Sequence, residues 1–120
     1  MFDLEKVNKM SQIREKYTRT LPFVRVLDKS KSSVNKNDIL KTFPVYVSND
    51  IIEILYNILI GKLHVKSSQK KTLAKYRTQM REFANLPSLK TKRKFIHEQK
   101  GGFLGALLPI IASVLGSLFT

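Results

Sequence analysis

Side chains able to do acid–base, nucleophilic or metal chemistry are sparse in this 120-residue chain and do not fall into working groups. His64 and His97 stand alone, cysteine is absent, and neither histidine has a partner at zinc-ligand spacing, so no metal is expected and both are expected at the surface. There is no Walker loop, dinucleotide fingerprint or nucleophile elbow. Gly101-Gly102 leads into apolar residues and not into the polar helix start that cradles a phosphate. The motifs call for no cofactor and no catalysis. What the chain does concentrate is fixed positive charge.

Lysine and arginine number 22 against 9 acids, a formal charge of +13, enough to draw in nucleic acid or anionic lipid from a distance. Between Lys62 and Lys100 there are 12 bases and only two acids, Glu82 and Glu98, whereas Gly101 to Thr120 carry no charge. Solubility is ordinarily served by mixed signs. A stretch so short of acids is expected to meet a polyanion, each base that reaches a phosphate releasing condensed counterions. The candidate contacts are Lys70, Lys71, Lys75, Arg77, Arg81, Lys90, Lys92, Arg93 and Lys94. Phosphate contacts position a protein without identifying bases, so sequence-specific recognition is not expected. Tyr76 and Phe83 could stack on bases, but their helical spacing with Leu73 and Met80 assigns them to a core.

The elements that must position these bases read as helices. Residues 3–19 run from Asp3 and Glu5 to Arg14, Lys16 and Arg19, the charge order a helix dipole favours, with Val7, Met10, Ile13 and Tyr17 on one side. Leu21-Pro22 interrupts that helix, and Phe23, Val24, Val26 and Leu27 suit either helix or strand. Ser33 is positioned to cap a helix containing Ile39, Leu40 and Phe43, stopped by Pro44. Ser48-Asn49-Asp50 offers caps to an apolar segment, Ile51 to Ile60, ending at Gly61, which should form the nearly surrounded central helix. Ser67 then caps one continuous helix up to Asn85-Leu86-Pro87, and Ser88 caps a short basic one. The expected fold is all-α, a small bundle. Its zones are residues 1–61 with a core helix at 49–60, a basic helical segment at 62–100, and an apolar tail at 101–120. Nothing in the first thirty residues resembles a secretory signal.

The tail is two-faced by size and not by charge. Phe103, Leu104, Leu107, Leu108, Ile110, Ile111, Val114, Leu115, Leu118 and Phe119 are large, and Gly105, Ala106, Pro109, Ala112, Ser113, Gly116 and Ser117 are small. As a helix, Phe103 to Phe119 would be roughly 26 Å long at 1.5 Å per residue, short of the roughly 30 Å hydrocarbon layer. A 120-residue bundle should struggle to surround such a helix. The large face (Phe103, Leu104, Leu107, Leu108, Ile111, Val114, Leu115, Leu118 and Phe119) is therefore expected to meet a membrane or a partner protein, or to support a homo-oligomer. A buried C-terminal core helix is the competing reading.

An apolar helix ending in Gly61, a basic helix after it, Lys92-Arg93-Lys94-Phe95-Ile96, and Gln99-Lys100-Gly101-Gly102-Phe103-Leu104 opening a greasy terminus together resemble small proteins encoded by Maverick/Polinton-type DNA elements and the related adintoviruses. The resemblance covers about residues 50–120, and the Gln-Lys-Gly-Gly-Phe-Leu junction is its most distinctive part. It implies a virion-associated minor or core protein, comparable to the DNA-condensing and membrane-active proteins of adenovirus-like particles, acting in the virion and host nucleus. It also implies a cysteine-protease cut between Gly102 and Phe103, although Gln99 stands where that family's sites carry an aliphatic residue. A helix-stopping hinge between the basic and apolar zones is the leading reading of the glycine pair.

Three functions follow as expectations. The leading one is a virion protein that binds nucleic acid through the basic segment and a membrane or capsid through the tail. The others are a lytic or fusion-like membrane factor without genome binding, and a helix-turn-helix-like DNA-binding regulator.

Overall fold

Helices account for all regular structure in residues 15–30, 35–98 and 103–118, which the computed structural model describes, and no strand occurs among them. The protein is an all-α small helical bundle. Of the expected first helix only residues 15–19 fall within the described range; 15–18 are helical and Arg19 lies in a turn.

Helix α1 (Leu21–Lys29) resolves the ambiguous Phe23 to Leu27 stretch. Pro22 falls in its first turn, where a missing N–H has no intrahelical acceptor to lose, and Leu21, Val24 and Leu27 recur on its buried side. Helix α2 (Lys36–Thr42) is capped by Asn35, whose Oδ1 accepts the Asn37 and Asp38 amides at 3.0 and 3.4 Å. The cap expected at Ser33 lies outside the described residues.

Helix α3 (Val45–Leu59) starts directly after Pro44, earlier than expected, so Ser48, Asn49 and Asp50 lie inside it and cap nothing. Their side chains bond to other elements instead. Ser48 Oγ meets His97 Nε2 at 2.8 Å, Asn49 Oδ1 accepts from Arg93 at 3.0 Å, and Asp50 receives Arg19 and the Thr20 hydroxyl. After α3 the chain turns at Gly61 with φ at +81°, a conformation that costs a residue with a Cβ roughly 1–2 kcal/mol.

The expected continuous helix from Ser67 is two, α4 (Ser67–Lys75) and α5 (Arg77–Ala84). Between them Tyr76 leaves helical geometry (φ −105°, ψ 20°), and its ring packs edge-on to Phe103 with centroids 6.0 Å apart. Ser67 is the first residue of α4 and not its cap; the start is tied by Gln69 Oε1, which accepts the Lys66 amide at 2.9 Å. Helix α6 (Leu89–Glu98) begins as expected: Ser88 Oγ accepts the Thr91 amide at 3.2 Å, and Thr91 Oγ1 accepts the Ser88 amide at 3.1 Å.

Helix α7 (Phe103–Leu118) is the apolar tail, and it lies inside the bundle. It runs along α1 and also packs on α2, α3 and α4. Phe103, Leu104, Leu107, Leu108, Ile110, Ile111, Val114 and Leu115 are each at most 5% exposed. The small residues Gly105, Ala106, Ala112, Ser113 and Gly116 are half-buried, while Pro109 and Ser117 are exposed. The division by size is therefore a division between inside and outside. A bundle of this length does surround the helix, because only its large face needs cover, and the apolar sides of α1 and α2 would otherwise face nothing. Helix α3, expected to be the enclosed one, buries Ile51, Ile52, Ile54, Leu55 and Ile58 and leaves Tyr56, Leu59 and the following Ile60 exposed towards its C-terminal end. Leu118's side chain and Phe119 lie outside what is described.

Candidate polyanion-binding face

The arrangement of α4 and α5 follows from their apolar sides. Met80 and Phe83 are buried, Leu73 and Tyr76 are half-buried against the core, and Phe83 leans on Phe95 of α6 with centroids 5.8 Å apart. Once that side is fixed, the helical period turns the bases outward. Lys70, Lys71, Lys75, Arg77 and Arg81 are all exposed, as are Lys62 and Lys66 in the connection before them and Lys90 and Lys94 on α6. Among the described residues the ion pairs are Lys16–Glu53, Arg19–Asp50 and Lys41–Asp38, so no base between Lys62 and Lys94 is paired with a carboxylate. Lys100 lies outside the described residues.

Two of the nine bases marked in the sequence are occupied within the fold. Lys92 is half-buried, with Nζ donating to the Leu86 carbonyl at 2.7 Å and sitting 6.0 Å from the Phe83 ring centroid. Arg93, also half-buried, donates from Nη1 to Asn49 Oδ1 at 3.0 Å. Lys92 and Arg93 stand four and three residues before the buried Ile96, on its side of α6, whereas Lys90 and Lys94 lie farther round; the carbonyl and amide that hold the first two come from outside the helix.

A feature the sequence did not announce is an open groove of about 330 Å³ between the end of α3 and the α4–α5 pair. Ile58, Leu59, Leu73, Ala74 and Met80 form its floor, and Lys70, Arg77 and Arg81 stand on its rim. A second hollow, about 600 Å³, lies beside the Arg19–Asp50 and Lys16–Glu53 pairs, which neutralise much of its charge.

His97, expected at the surface, is half-buried between α6 and α3 and bonded to Ser48. Burial lowers its pKa, and the Lys41 and Arg93 charges lower it further against a smaller opposing effect from Glu98. His64 is exposed. No group of three or more histidines and carboxylates that could hold a metal occurs among the described residues.

The membrane and cleavage candidates also acquire positions. Phe103, Leu104, Leu107, Leu108, Ile111, Val114 and Leu115 face the core. Among the described residues no single helix is long and apolar enough to cross a membrane; only α6 and α7 taken together reach that length, across a sharp bend. Of the expected cut, Gly102 lies outside the described residues, and Phe103 is 1% exposed, held between the rings of Tyr76 and Phe95.

Fold and site together define a small helical bundle whose exposed bases on α4, α5 and α6 have no carboxylate partner among the described residues. No family model, curated protein or solved structure matches the chain.

Proposed function

We propose that this is a non-catalytic protein that binds the phosphate backbone of nucleic acid through the exposed bases of α4, α5 and α6. One observation carries the reading: nine exposed lysines and arginines between Lys62 and Lys94 have no carboxylate partner among the described residues. Exposed charges left unpaired on a rigid scaffold gain by releasing phosphate counterions, and they lose no internal bond in doing so. Lys70, Lys71, Lys75, Arg77 and Arg81, with Lys90 and Lys94, form the principal contact, and Lys92 and Arg93 contribute less because their donors serve the fold.

The setting comes from the resemblance alone: packaged DNA in a virion, with the protein as a minor or core component. The large face of α7 is engaged inside the bundle, so lipid insertion of that helix would require the bundle to open. Backbone binding needs no such rearrangement, and for that reason it ranks first.

The test is a triple replacement of Lys71, Lys75 and Arg81 by Gln. Helix content should stay unchanged, affinity for duplex DNA should fall to a similar extent across sequences, and the log–log salt slope should shrink by up to about one for each phosphate no longer neutralised. Unchanged affinity and slope would remove the proposal.

A further inference from the structure

We propose that the groove between α3 and the α4–α5 pair is a docking site for an acidic amphipathic helix of a partner protein. It has the two features such a ligand requires. Its aliphatic lining is Ile58, Leu59, Leu73, Ala74 and Met80, and Leu59 is 39% exposed. An exposed aliphatic lining with cations around it marks an interaction surface more than an ordinary solvated one. Its rim is cationic and unpaired, since Lys70, Arg77 and Arg81 have no carboxylate partner among the described residues.

Lys70 and Ala74 on α4 and Arg77 and Arg81 on α5, either side of the Tyr76 break, all line the groove. A partner helix with leucine-type residues at i, i+4 and i+7 and glutamates flanking them would seat its apolar stripe on the floor and bring its carboxylates to the rim, the helix-in-groove mode of peptide recognition. A single anionic headgroup would meet one part of such a row, and an acyl chain in so open a groove would stay largely wet. A second copy of this chain suits the rim poorly, because at a net charge of +13 two copies repel. The occupant is therefore a foreign acidic helix, and it competes with nucleic acid for three of the same cations.

The full chain is titrated with a synthetic helical peptide carrying that leucine and glutamate pattern, followed by fluorescence anisotropy. A second peptide keeps the glutamates but has serine for leucine, and a third keeps the leucines but has lysine for glutamate. The first peptide should bind at least tenfold more tightly than the second, the third should not bind, and duplex DNA should displace the first. In the protein, Leu59→Gln should weaken the first peptide severalfold while leaving DNA affinity and its salt slope unchanged, and Ala74→Glu, at an exposed helical site, should abolish peptide binding with the thermal midpoint retained. Equal binding of the first two peptides, binding of the third, or indifference to Leu59→Gln would overturn the proposal. So would binding of anionic phosphatidylserine vesicles that depends on Leu59 when the first peptide does not bind. Peptide binding without DNA binding would support this site and refute the backbone-binding function; the reverse result would do the opposite.

Discussion

Arg19 forks onto Asp50, its Nε and Nη2 each 3.1 Å from one carboxylate oxygen, and so ties the segment before α1 to the middle of α3. The carboxylate is 1% exposed and also accepts the Thr20 hydroxyl, while the guanidinium remains half in solvent, 4.5 Å from the Tyr46 ring centroid. Removing the cation strands a buried charge, whereas making the acid neutral leaves an acceptor in place. Arg19→Ala should therefore lower the thermal unfolding midpoint more than Asp50→Asn. The double variant should lose less than the sum of the two, as a double-mutant cycle followed by circular dichroism would record.

Helix α7 should behave as core. Leu107 is fully buried, as is Leu55, and replacing either with Ala should cost about 2–5 kcal/mol as a large-to-small change. Deletion of residues 103–120 should leave an unfolded or aggregating chain, because α1 through α4 lose the surface they pack on. Denaturant titration measures the first outcome and helix content the second. A deletion that stays folded and soluble would show α7 to be a detachable element.

The outer side of α7 should tolerate change. A Cβ placed at Gly116 meets no atom within 4 Å, so Gly116→Ala should be neutral or stabilise by about 0.5–1 kcal/mol through helix propensity. If copies of the chain packed through this small-residue side, the same substitution would weaken self-association in sedimentation measurements.

The four bases of α6 should separate into two kinds. Lys92→Gln and Arg93→Gln should each lower stability by about 0.5–1.5 kcal/mol, the usual net value of a hydrogen bond, since their donors no longer reach the Leu86 carbonyl and the Asn49 side chain. Lys90→Gln and Lys94→Gln, both exposed, should leave the unfolding midpoint in place and weaken DNA binding only. Parallel stability and affinity measurements on the four variants check this.

Acid should destabilise the interface between α3 and α6. His97 has a lowered pKa in the folded protein, from burial first and then from Lys41 and Arg93. The unfolded chain therefore binds the extra proton more readily. The contribution is fully present above the unfolded value of about 6.5 and is lost as pH falls through the folded value. His97→Gln should flatten stability below about pH 6.5 relative to the parent, as thermal melts at falling pH would show.

The outward display of the α4 and α5 bases is legible in the sequence alone, because the 3.6-residue period puts Leu73, Met80 and Phe83 on one side and Lys70, Lys71, Lys75, Arg77 and Arg81 elsewhere. So are the Ser88 cap of α6, the Gly61 stop and the size asymmetry of the tail. These are local properties, set within a few residues along the chain.

What the large face of α7 meets is not local: lipid, a partner and the chain's own α1 offer it similar apolar surroundings, and only the assembled bundle selects α1. The same holds for Ser48, Asn49 and Asp50, whose types suit a helix cap but whose bonds run to His97, Arg93 and Arg19, and for the groove, which exists only where α3 and α4–α5 come together. Residue type and spacing determined which side of each helix is apolar or charged. Tertiary packing decided which apolar sides meet and which cations are left free, because that choice depends on contacts between residues far apart in sequence, whose energies no single segment contains.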